Sequence, residues 1–260
     1  MKLTIAALQS PGVLGDTDAN LGELAAAAEG AAARGARLLI TSEMFLTGYN
    51  LGDRLHEVDT DALLERVREI AVAHRIALLA GMPEHVDGSW FNSALLVDES
   101  GAVVNRYRKS HLFGELDRAV FTPGSELVSV ATLHGVRIAT LICYDVEFPE
   151  VVRAAARAGA QLIAVPTAQM APFEFVAEHV IRTRAWENQV YVAYVNHDGD
   201  EGDLSYVGRS SIVGPSAEVL ASAVHGTALL VAEIDTDAVE AAQSRNPYLT
   251  DARTDLYPSA

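Results

Sequence analysis

Segments with strand periodicity and segments with helical periodicity alternate along almost the whole of this 260-residue chain. Short runs rich in aliphatic and β-branched residues, such as Leu3–Leu8 and Arg37–Thr41, are typical of buried strands. Between them lie longer segments with an apolar face, such as Thr17–Arg34 and Thr60–His74. Hairpin-type connections also occur, for example at 98–101. Sheets covered by helices satisfy this pattern, so we predict α/β layers with mixed sheets.

The same alternation continues towards the C-terminus. Further strands are predicted at 76–80, 93–97, 103–108, 136–142, 161–165, 190–195, 210–213, 218–221 and 229–234, and further helices at 149–158, 173–187 and 236–245. No Ser/Gly-rich linker or abrupt change in composition divides the chain, so we expect one domain over residues 1–260. The tail from about residue 246 to residue 260 lacks periodicity. We expect it to lie loosely on the surface or in a subunit contact.

Composition narrows the classes of partner and compartment. Half of the residues are hydrophobic, which is enough for a sizeable core, and the formal net charge is −16. An acidic chain lacks the basic face that a nucleic-acid backbone requires, so we expect no nucleic-acid partner. No apolar run approaches the roughly 20 residues that cross a bilayer, and the N-terminus lacks a signal-peptide core. With one cysteine no internal disulfide is possible, and we expect a cytoplasmic protein without membrane contact.

That one cysteine, Cys143, falls between a predicted strand and a predicted helix. Val136–Ile142 reads as a buried strand, and Pro149 and Glu150 suit the first turn of a helix. A side chain in so tight a connection is held rigidly at the sheet edge, which suits a nucleophile. A free cysteine is also among the most buried and inert residue types. Its position alone therefore leaves a catalytic role and a structural role open.

Two further polar residues follow predicted strands in the same way. Glu43 comes after Arg37–Thr41, and Lys109 comes after Val103–Arg108. Active sites in sheet proteins gather at the carboxyl ends of strands, so these groups could meet Cys143 in one crevice. A carboxylate can take the proton of a thiol, and an ammonium can stabilise a thiolate or an oxyanion. An ordinary surface ion pair is the competing interpretation.

Three segments of the chain resemble the signature blocks of one enzyme family. They are Glu43–Asn50 (EMFLTGYN), Tyr107–Asp117 (YRKSHLFGELD) and Ile142–Glu150 (ICYDVEFPE). In this order they resemble the nitrilase, or carbon–nitrogen hydrolase, superfamily, and the similarity extends from Leu8 to Leu249. Within it, the blocks look most like amidases, in particular 5-aminopentanamidases and stereoselective carboxamide amidases.

The resemblance implies a four-layer α-β-β-α sandwich with mixed sheets and a Glu–Lys–Cys triad at Glu43, Lys109 and Cys143. Many members carry a second glutamate after the lysine, and Glu115 stands where this chain would supply it. The family forms homodimers and larger homo-oligomers, often through C-terminal segments. It needs no metal or organic cofactor, and the sequence has no His/Cys cluster typical of a metal site.

The expected chemistry is attack of the Cys143 thiolate on an amide, with Glu43 as the base and a thioester as the intermediate. Lys109 and the backbone N–H of Tyr144 would stabilise the oxyanion, and Glu115 would orient the hydrolytic water. Nitrile hydrolysis and N-carbamoyl amine hydrolysis use the same triad and remain alternatives. A non-catalytic interaction protein on the same scaffold is disfavoured because all three groups are present.

The substrate is predicted from residues around the nucleophile. In the branch that cleaves ω-amides of dicarboxylic acids, an arginine commonly stands at the position of Glu147. A carboxylate there suits a substrate amine instead, so we expect a primary aliphatic amide with an amino group, such as 5-aminopentanamide. Simple pairing with the following helix dipole is the alternative for Glu147. Tyr49, Phe148 and Met170 are candidate pocket walls that could equally pack in the core.

Overall fold

Two six-stranded sheets form the centre of the computed structural model, which describes residues 1–257. The strands are β1 (Lys2–Gln9), β2 (Leu38–Ile40), β3 (Ala77–Val86), β4 (Ser89–Val97), β5 (Val103–Arg108), β6 (Ser129–Leu133), β7 (Val136–Thr140), β8 (Leu162–Thr167), β9 (Tyr191–Asn196), β10 (Asp198–Glu201), β11 (Leu204–Val207), β12 (Ser211–Val213), β13 (Val219–Ser222) and β14 (Ala228–Asp235). The α-helices are α1 (Thr17–Ala33), α2 (Thr60–His74), α3 (Gly114–Arg118), α4 (Pro149–Arg157), α5 (Ile181–Asn188), α6 (Thr236–Arg245) and α7 (Tyr248–Asp251).

Both large sheets are mixed. The first has the order β14-β1-β2-β3-β4-β5, with β1, β2 and β3 parallel and the other pairs antiparallel. The second has the order β13-β12-β9-β8-β7-β6, with β7, β8 and β9 parallel. Strands β10 and β11 form a separate antiparallel hairpin. The carboxyl ends of the parallel strands in each sheet are therefore available to carry a site.

The two sheets pack face to face, and helices cover their outer faces. Side chains alternate across each strand: Leu38 and Ile40 of β2 join the core that includes Ile138 of the other sheet, whereas Leu39 packs with Leu24 of α1. Helix α2 packs on the same outer face of the first sheet through a set of residues that includes Leu63, Leu64 and Val67. Helices α4 and α5 pack against the second sheet through Val151, Val152, Ala155, Ile181 and Ala185. The architecture is the expected α-β-β-α sandwich.

The structure departs from the sequence-based expectations in several elements. Strand β6 and the hairpin of β10 and β11 were not predicted, since β6 is a half-exposed edge strand and β10 has the polar sequence DGDE. The helix predicted at 173–187 forms over residues 174–188, but it contains a π-helical turn, Val176–Val180, directly before α5. Among residues 1–257 no helix is long and apolar enough to cross a membrane.

The C-terminal tail has more local structure than its lack of periodicity indicated. It contains the short helix α7 and a 3₁₀ turn, Thr254–Leu256, in which no residue is buried. Residues 258–260 of the predicted tail lie outside the described residues. The predicted subunit contact of this tail stays a prediction.

Candidate active site

The segments that follow β2, β5 and β7 bring Glu43, Lys109 and Cys143 together. The Nζ atom of Lys109 lies 2.7 Å from Oε1 of Glu43, and both side chains are essentially inaccessible to solvent. Cys143 is also buried, and it lines a cleft together with Lys109. Glu43 and Lys109 come from the first sheet and Cys143 from the second. The three groups thus meet where strand ends of the two sheets face each other.

Cys143 is the first residue of a 3₁₀ turn, Cys143–Glu147, which directly follows β7 and its extension. Its φ angle of +45° lies in the left-handed region, which a non-glycine residue adopts at a cost and usually where the surroundings enforce it. Arg184 of α5 is part of those surroundings, because its guanidinium donates to the carbonyl oxygens of Val146 and Glu147 at 2.9 and 2.5 Å. This contact fixes the far end of the turn that carries the thiol.

Asp145, inside the same turn, connects it to the segment after β5. Its buried carboxylate accepts from the backbone N–H of His111 at 2.9 Å, from Ser110 Oγ at 2.8 Å and from the hydroxyl of Tyr107 at 3.1 Å. It also accepts from the backbone N–H of Ile142 at 3.2 Å. A hydrogen bond to Asp145 raises the pKa of His111. Asp145 therefore fixes the turn that carries Cys143 relative to the segment that carries Lys109.

Both carboxylate oxygens of Glu43 accept hydrogen bonds. Oε1 accepts from Lys109 and from the side-chain amide of Asn92, each at 2.7 Å, and Oε2 accepts from the backbone N–H of Ala168 at 2.9 Å. Burial raises the pKa of Glu43, and the ammonium of Lys109 only partly offsets this effect. A carboxyl group with a raised pKa can both accept and return a proton near neutral pH.

Lys109 lies between two carboxylates. Its Nζ atom is 2.7 Å from Oδ2 of Asp117 as well as 2.7 Å from Glu43, and Asp117 is completely buried. Asp117 also accepts from the hydroxyl of Tyr49 and, at 2.8 Å, from the backbone N–H of Phe113. These negative neighbours raise the pKa of Lys109 despite its burial, so the side chain is an ammonium ion.

Glu115, which was predicted to orient the hydrolytic water, does not lie beside Lys109 and Glu43; this prediction is wrong. Its side chain is 93% exposed and lies 3.5 Å from Arg118. Glu115 and Asp117 are two residues apart on α3, a separation of about 200° around a helix, so they point to opposite sides. The short helix turns Asp117 towards Lys109 and Glu115 towards solvent.

The cleft in front of Cys143 is small, with an empty volume of about 250 Å³. Its lining residues are Tyr49, Lys109, Phe113, Cys143, Tyr144, Glu147, Ala168, Gln169 and Met170. Tyr49, Glu147 and Met170 thus line the cleft, and their contact with a substrate stays a prediction. Phe148 is not among the lining residues: its ring stacks on His111 with centroids 4.2 Å apart and so contributes to the packing behind Tyr144.

The protonation states of the cleft follow from burial and charge. Burial raises the pKa of the Cys143 thiol, and the charge of Glu43 adds to this, whereas Lys109 lowers it by less. Partial burial raises the pKa of Glu147 against the opposing effects of a hydrogen bond with Gln169 and the charge of Arg184. The resting cysteine is therefore a protonated thiol that needs a base before it can attack.

Three site residues were not found from the sequence: Asn92, Asp117 and Gln169. Asn92 is a buried residue of β4, but the strand predicted from the sequence began one position later, at 93. Gln169 follows β8, and its Oε1 atom lies 3.9 Å from Sγ of Cys143. Its backbone N–H donates to Asn196 at 2.7 Å. As a polar residue after a parallel strand, Gln169 carried the same positional signal as Glu43.

Larger cavities lie elsewhere on the molecule. One, with an empty volume of about 860 Å³, lies between α1, α2 and the 3₁₀ turn Gly52–Glu57. Its lining residues do not include Glu43, Lys109 or Cys143. Within residues 1–257 no group of three or more His, Cys, Asp or Glu side chains is placed to hold a metal ion. The small cleft at Cys143 is therefore the candidate active site on chemical grounds rather than on size.

Comparison with known proteins supports the same assignment. The family model of carbon–nitrogen hydrolases matches residues 4–244. The chain is 44% identical over 227 residues to "Hydrolase in pqqF 5'region" from Pseudomonas protegens (85% of this chain, 80% of that protein). It is 35% identical over 225 residues to an (R)-stereoselective amidase from Pseudomonas sp. (83% of this chain, 79% of that protein).

A solved structure of an amidase from Nesterenkonia sp. is similar over almost the whole fold. It has 37% identity and a TM-score of 0.89 and covers 98% of this chain and 94% of that one. Other structures of that amidase show the acetamide moiety of fluoroacetamide added covalently at the active-site cysteine, and butyramide in a complex with a cysteine-to-alanine mutant. This chain belongs to the carbon–nitrogen hydrolase family, the nitrilase superfamily, and is an amidase that works through an active-site cysteine.

Proposed function

We propose that this amidase hydrolyses primary aliphatic amides to a carboxylic acid and ammonia, with Cys143 as the nucleophile. The observation that supports this most directly is the buried Glu43–Lys109 pair, with 2.7 Å between Oε1 and Nζ, beside the only cysteine of the chain. Glu43 is the general base and acid, and Lys109 stabilises the oxyanion. The small cleft and the binding of small aliphatic amides by the Nesterenkonia amidase support the substrate class.

The first half of the reaction forms a thioester. Glu43 accepts the Sγ proton of Cys143, and the thiolate attacks the amide carbonyl carbon to give a tetrahedral intermediate. When the intermediate collapses, the C–N bond breaks, and protonated Glu43 gives its proton to the departing nitrogen. Ammonia leaves and the acyl group remains on Cys143. The raised pKa of Glu43 suits both proton transfers.

The second half releases the acid. Glu43 accepts a proton from a water molecule, which attacks the thioester carbonyl through a second tetrahedral intermediate. The C–S bond then breaks, Cys143 recovers its proton from Glu43, and the carboxylic acid leaves. The fully buried Glu43 carboxylate keeps a fixed position for both halves, since Asn92 and the N–H of Ala168 hold its two oxygens.

Two donors are available for the oxyanion. An ammonium ion has three N–H donors, and Glu43 and Asp117 occupy two of those of Lys109, which leaves one for the substrate oxygen. Tyr144 is the second residue of its 3₁₀ turn, and the first N–H groups of a helical turn have no partner within it. Loss of one oxyanion donor costs about 10²–10³ in rate.

Asp117 takes the supporting position that the sequence assigned to Glu115. It contacts Lys109 at 2.7 Å and not the reacting atoms, so its role is to place the ammonium. With Glu43 it also balances the charge of Lys109, and the net charge of the three groups is negative. That charge disfavours a resting thiolate and favours proton transfer coupled to the attack.

Glu147 carries the finer proposal, a substrate with an amino group such as 5-aminopentanamide. The half-buried side chain of Glu147 lines the cleft and is hydrogen-bonded to Gln169. An ammonium group on the substrate would pair with the carboxylate and favour its charged form. The aromatic side chains of Phe113 and Tyr144 line the same cleft and suit a short aliphatic chain.

A substrate panel tests this function. Ammonia release is measured with butyramide, 5-aminopentanamide, an ω-amide of a dicarboxylic acid, a nitrile and an N-carbamoyl amine. We expect turnover of the two primary amides, with a lower KM for 5-aminopentanamide. In Glu147→Gln that KM should rise while the KM for butyramide stays unchanged. Equal changes for both amides would contradict the role of Glu147, and turnover of only the nitrile or the carbamoyl amine would contradict the amide proposal.

A further inference from the structure

A buried carboxylate outside the cleft, Glu201 at the end of β10, holds the loop that follows Glu43. Its side chain is 2% exposed. Oε2 accepts from the backbone N–H groups of Tyr49 and Asn50 at 3.0 and 2.8 Å, and Oε1 is 3.2 Å from the same N–H of Tyr49. The close approach depends on Gly48, where a Cβ atom would lie 2.8 Å from Oε1 of Glu201. The hairpin therefore clamps the loop by its backbone.

Two further side chains hold Glu201 from the other side. Nε2 of His197 lies 3.1 Å from Oε1, and Nδ1 of the same ring lies 2.9 Å from the carbonyl oxygen of Ser10. The hydroxyl of Tyr206 donates to Oε2 at 3.0 Å. The backbone N–H of Tyr49 contacts both carboxylate oxygens, so a side-chain amide at this position would place its own N–H group against that donor in either orientation. The site therefore favours a carboxylate.

The clamped loop leads directly to the active site. The hydroxyl of Tyr49 donates to Asp117, and Asp117 contacts Nζ of Lys109 at 2.7 Å. Tyr206 also packs with Tyr49, Met44 and Ala168 in one hydrophobic cluster. A displacement of the Tyr49 backbone would therefore move a hydroxyl that fixes the carboxylate beside the lysine.

We propose that Glu201 is a positioning residue for amide hydrolysis: it clamps the Tyr49 backbone, and the Tyr49 hydroxyl then holds Asp117 against Lys109. This role rests on the proposed function of Lys109 and Cys143. Glu201 touches no reacting atom, so its loss should lower kcat and the reactivity of Cys143 while KM changes little. A misplacement of about 1 Å at a catalytic group can cost on the order of 10²-fold in rate.

The test compares Glu201→Gln with Asp198→Asn, a matched control on the same hairpin. Asp198 is also largely buried and also contacts a histidine, His225, at 3.2 Å, but its other partner is the N–H of Gly226 and not the Tyr49 loop. Three quantities are measured: kcat and KM for butyramide, the melting temperature, and the rate at which iodoacetamide alkylates the single cysteine. We expect kcat and the alkylation rate of Glu201→Gln to fall about tenfold or more, and those of Asp198→Asn to stay within about twofold.

A double-mutant cycle with Tyr49→Phe separates positioning from general destabilisation. If Glu201 acts through the Tyr49 hydroxyl, both changes break the same chain of contacts. The kcat of the double variant should then be no more than about twofold below that of the less active single variant. If Glu201→Gln does not fold, Tyr206→Phe replaces it, since it removes one donor to Glu201 and keeps the ring. The same loss of kcat without a change in KM is expected.

The outcomes are distinct. Unchanged kcat and alkylation in a folded Glu201→Gln variant, or in Tyr206→Phe where that variant replaces it, would overturn the positioning role alone. Equal losses in Asp198→Asn, or losses that multiply in the double variant, would overturn it too, because they indicate general destabilisation. A wild-type enzyme that releases no ammonia from any primary amide would contradict the proposed function, and the positioning role with it.

Discussion

At the scale of single residues, the reactivity of the site comes from burial and not from residue type alone. The same burial raises the pKa values of Glu43 and Cys143, so the resting pair consists of a carboxylate with a high proton affinity and a protonated thiol. Lys109 is kept charged by Glu43 and Asp117. Proton transfer from thiol to carboxylate is thereby coupled to attack on a carbonyl, whose oxygen Lys109 can stabilise.

The acid limb of the pH–rate profile tests the state of Glu43. The base must be ionised, and its pKa is raised above the ordinary value of 4.5, so kcat/KM should fall as the pH decreases through a pKa higher than 4.5. Initial rates with butyramide are measured over a pH range in which the enzyme stays folded, with circular dichroism as the control. An acid limb at or below 4.5 would contradict the buried environment of Glu43.

Asp117 and Glu115 form a natural pair of variants on α3. Asp117→Asn removes a buried charge 2.7 Å from Lys109, and we expect kcat to fall by about 10- to 100-fold. Glu115→Gln changes a side chain that is 93% exposed and should leave kcat within about twofold. Ammonia release and the melting temperature are measured for both. A greater loss in Glu115→Gln than in Asp117→Asn would refute the placement of these residues.

Whether a site residue could be predicted from the sequence depends on the element that carries it. Glu43, Lys109 and Cys143 each follow a strand, and strand order gave their positions. Asp117 was missed because successive side chains on a helix point about 100° apart. On the five-residue helix α3, a difference of two positions therefore separates a buried side chain from an exposed one. For Phe148 the sequence left a pocket wall and core packing open, and its ring packs on His111.

At the scale of elements, β3 is packed directly against the segment that carries Glu43. A Cβ atom on Gly81 would lie 2.1 Å from the carbonyl oxygen of Ser42 and 2.9 Å from Cα of Glu43. The backbone of Gly81 also accepts from the N–H of Leu46 at 3.3 Å and donates to Thr41 Oγ1 at 3.1 Å. The absence of a side chain at Gly81 therefore lets β3 approach the segment that carries the general base.

Gly81→Ala is predicted to displace Glu43 and to lower both kcat and the melting temperature. The control is Gly22→Ala, because Gly22 lies within α1, and a Cβ atom there would meet no atom within 4 Å. Alanine in a helix interior is more stable than glycine by about 0.5–1 kcal/mol, so Gly22→Ala should not lower the melting temperature. Normal kcat in Gly81→Ala would contradict the close packing of β3 on this segment.

Elements with strong periodicity were predicted closely, and irregular ones were not. Helix α2 and strand β5 have the predicted limits, because their apolar residues recur with the helix and strand periods. The π-helical turn before α5 and the polar hairpin of β10 and β11 have no such periodicity. That hairpin carries Glu201, so the part of the fold that clamps the Tyr49 loop was also the part that local patterns could not reveal.

At the scale of the whole molecule, the active site depends on the packing of the two sheets. The backbone N–H of Glu43, from the first sheet, donates to the carbonyl oxygen of Thr167, in the second, at 3.3 Å, and the Ala168 N–H returns a bond to the Glu43 carboxylate. Charge also matters at this scale, since the lowered pKa values of Glu84 and Glu201 mean that both carboxylates stabilise the folded state only while they are ionised. Acid should therefore destabilise the protein.

The stability at low pH tests two of these carboxylates. Burial raises the pKa of Glu84, but hydrogen bonds from Arg108 and Ser93 outweigh it, and the pKa of Glu201 is lowered in the same way by His197. A lowered folded-state pKa contributes stability that is present above the unfolded-state value and lost as the pH falls through the folded-state value. The melting temperature should therefore fall with acid below about pH 4.3, and less steeply in Glu84→Gln. An identical slope in that variant would contradict the prediction.

Mass spectrometry of the enzyme, quenched in acid during turnover of butyramide, detects a thioester on Cys143. We expect an increase in mass equal to one butanoyl group, located by peptide mapping on the peptide that contains Cys143, and no such increase in Cys143→Ala. Butanoyl transfer to another residue, or ammonia release by Cys143→Ala at the wild-type rate, would show that Cys143 is not the nucleophile.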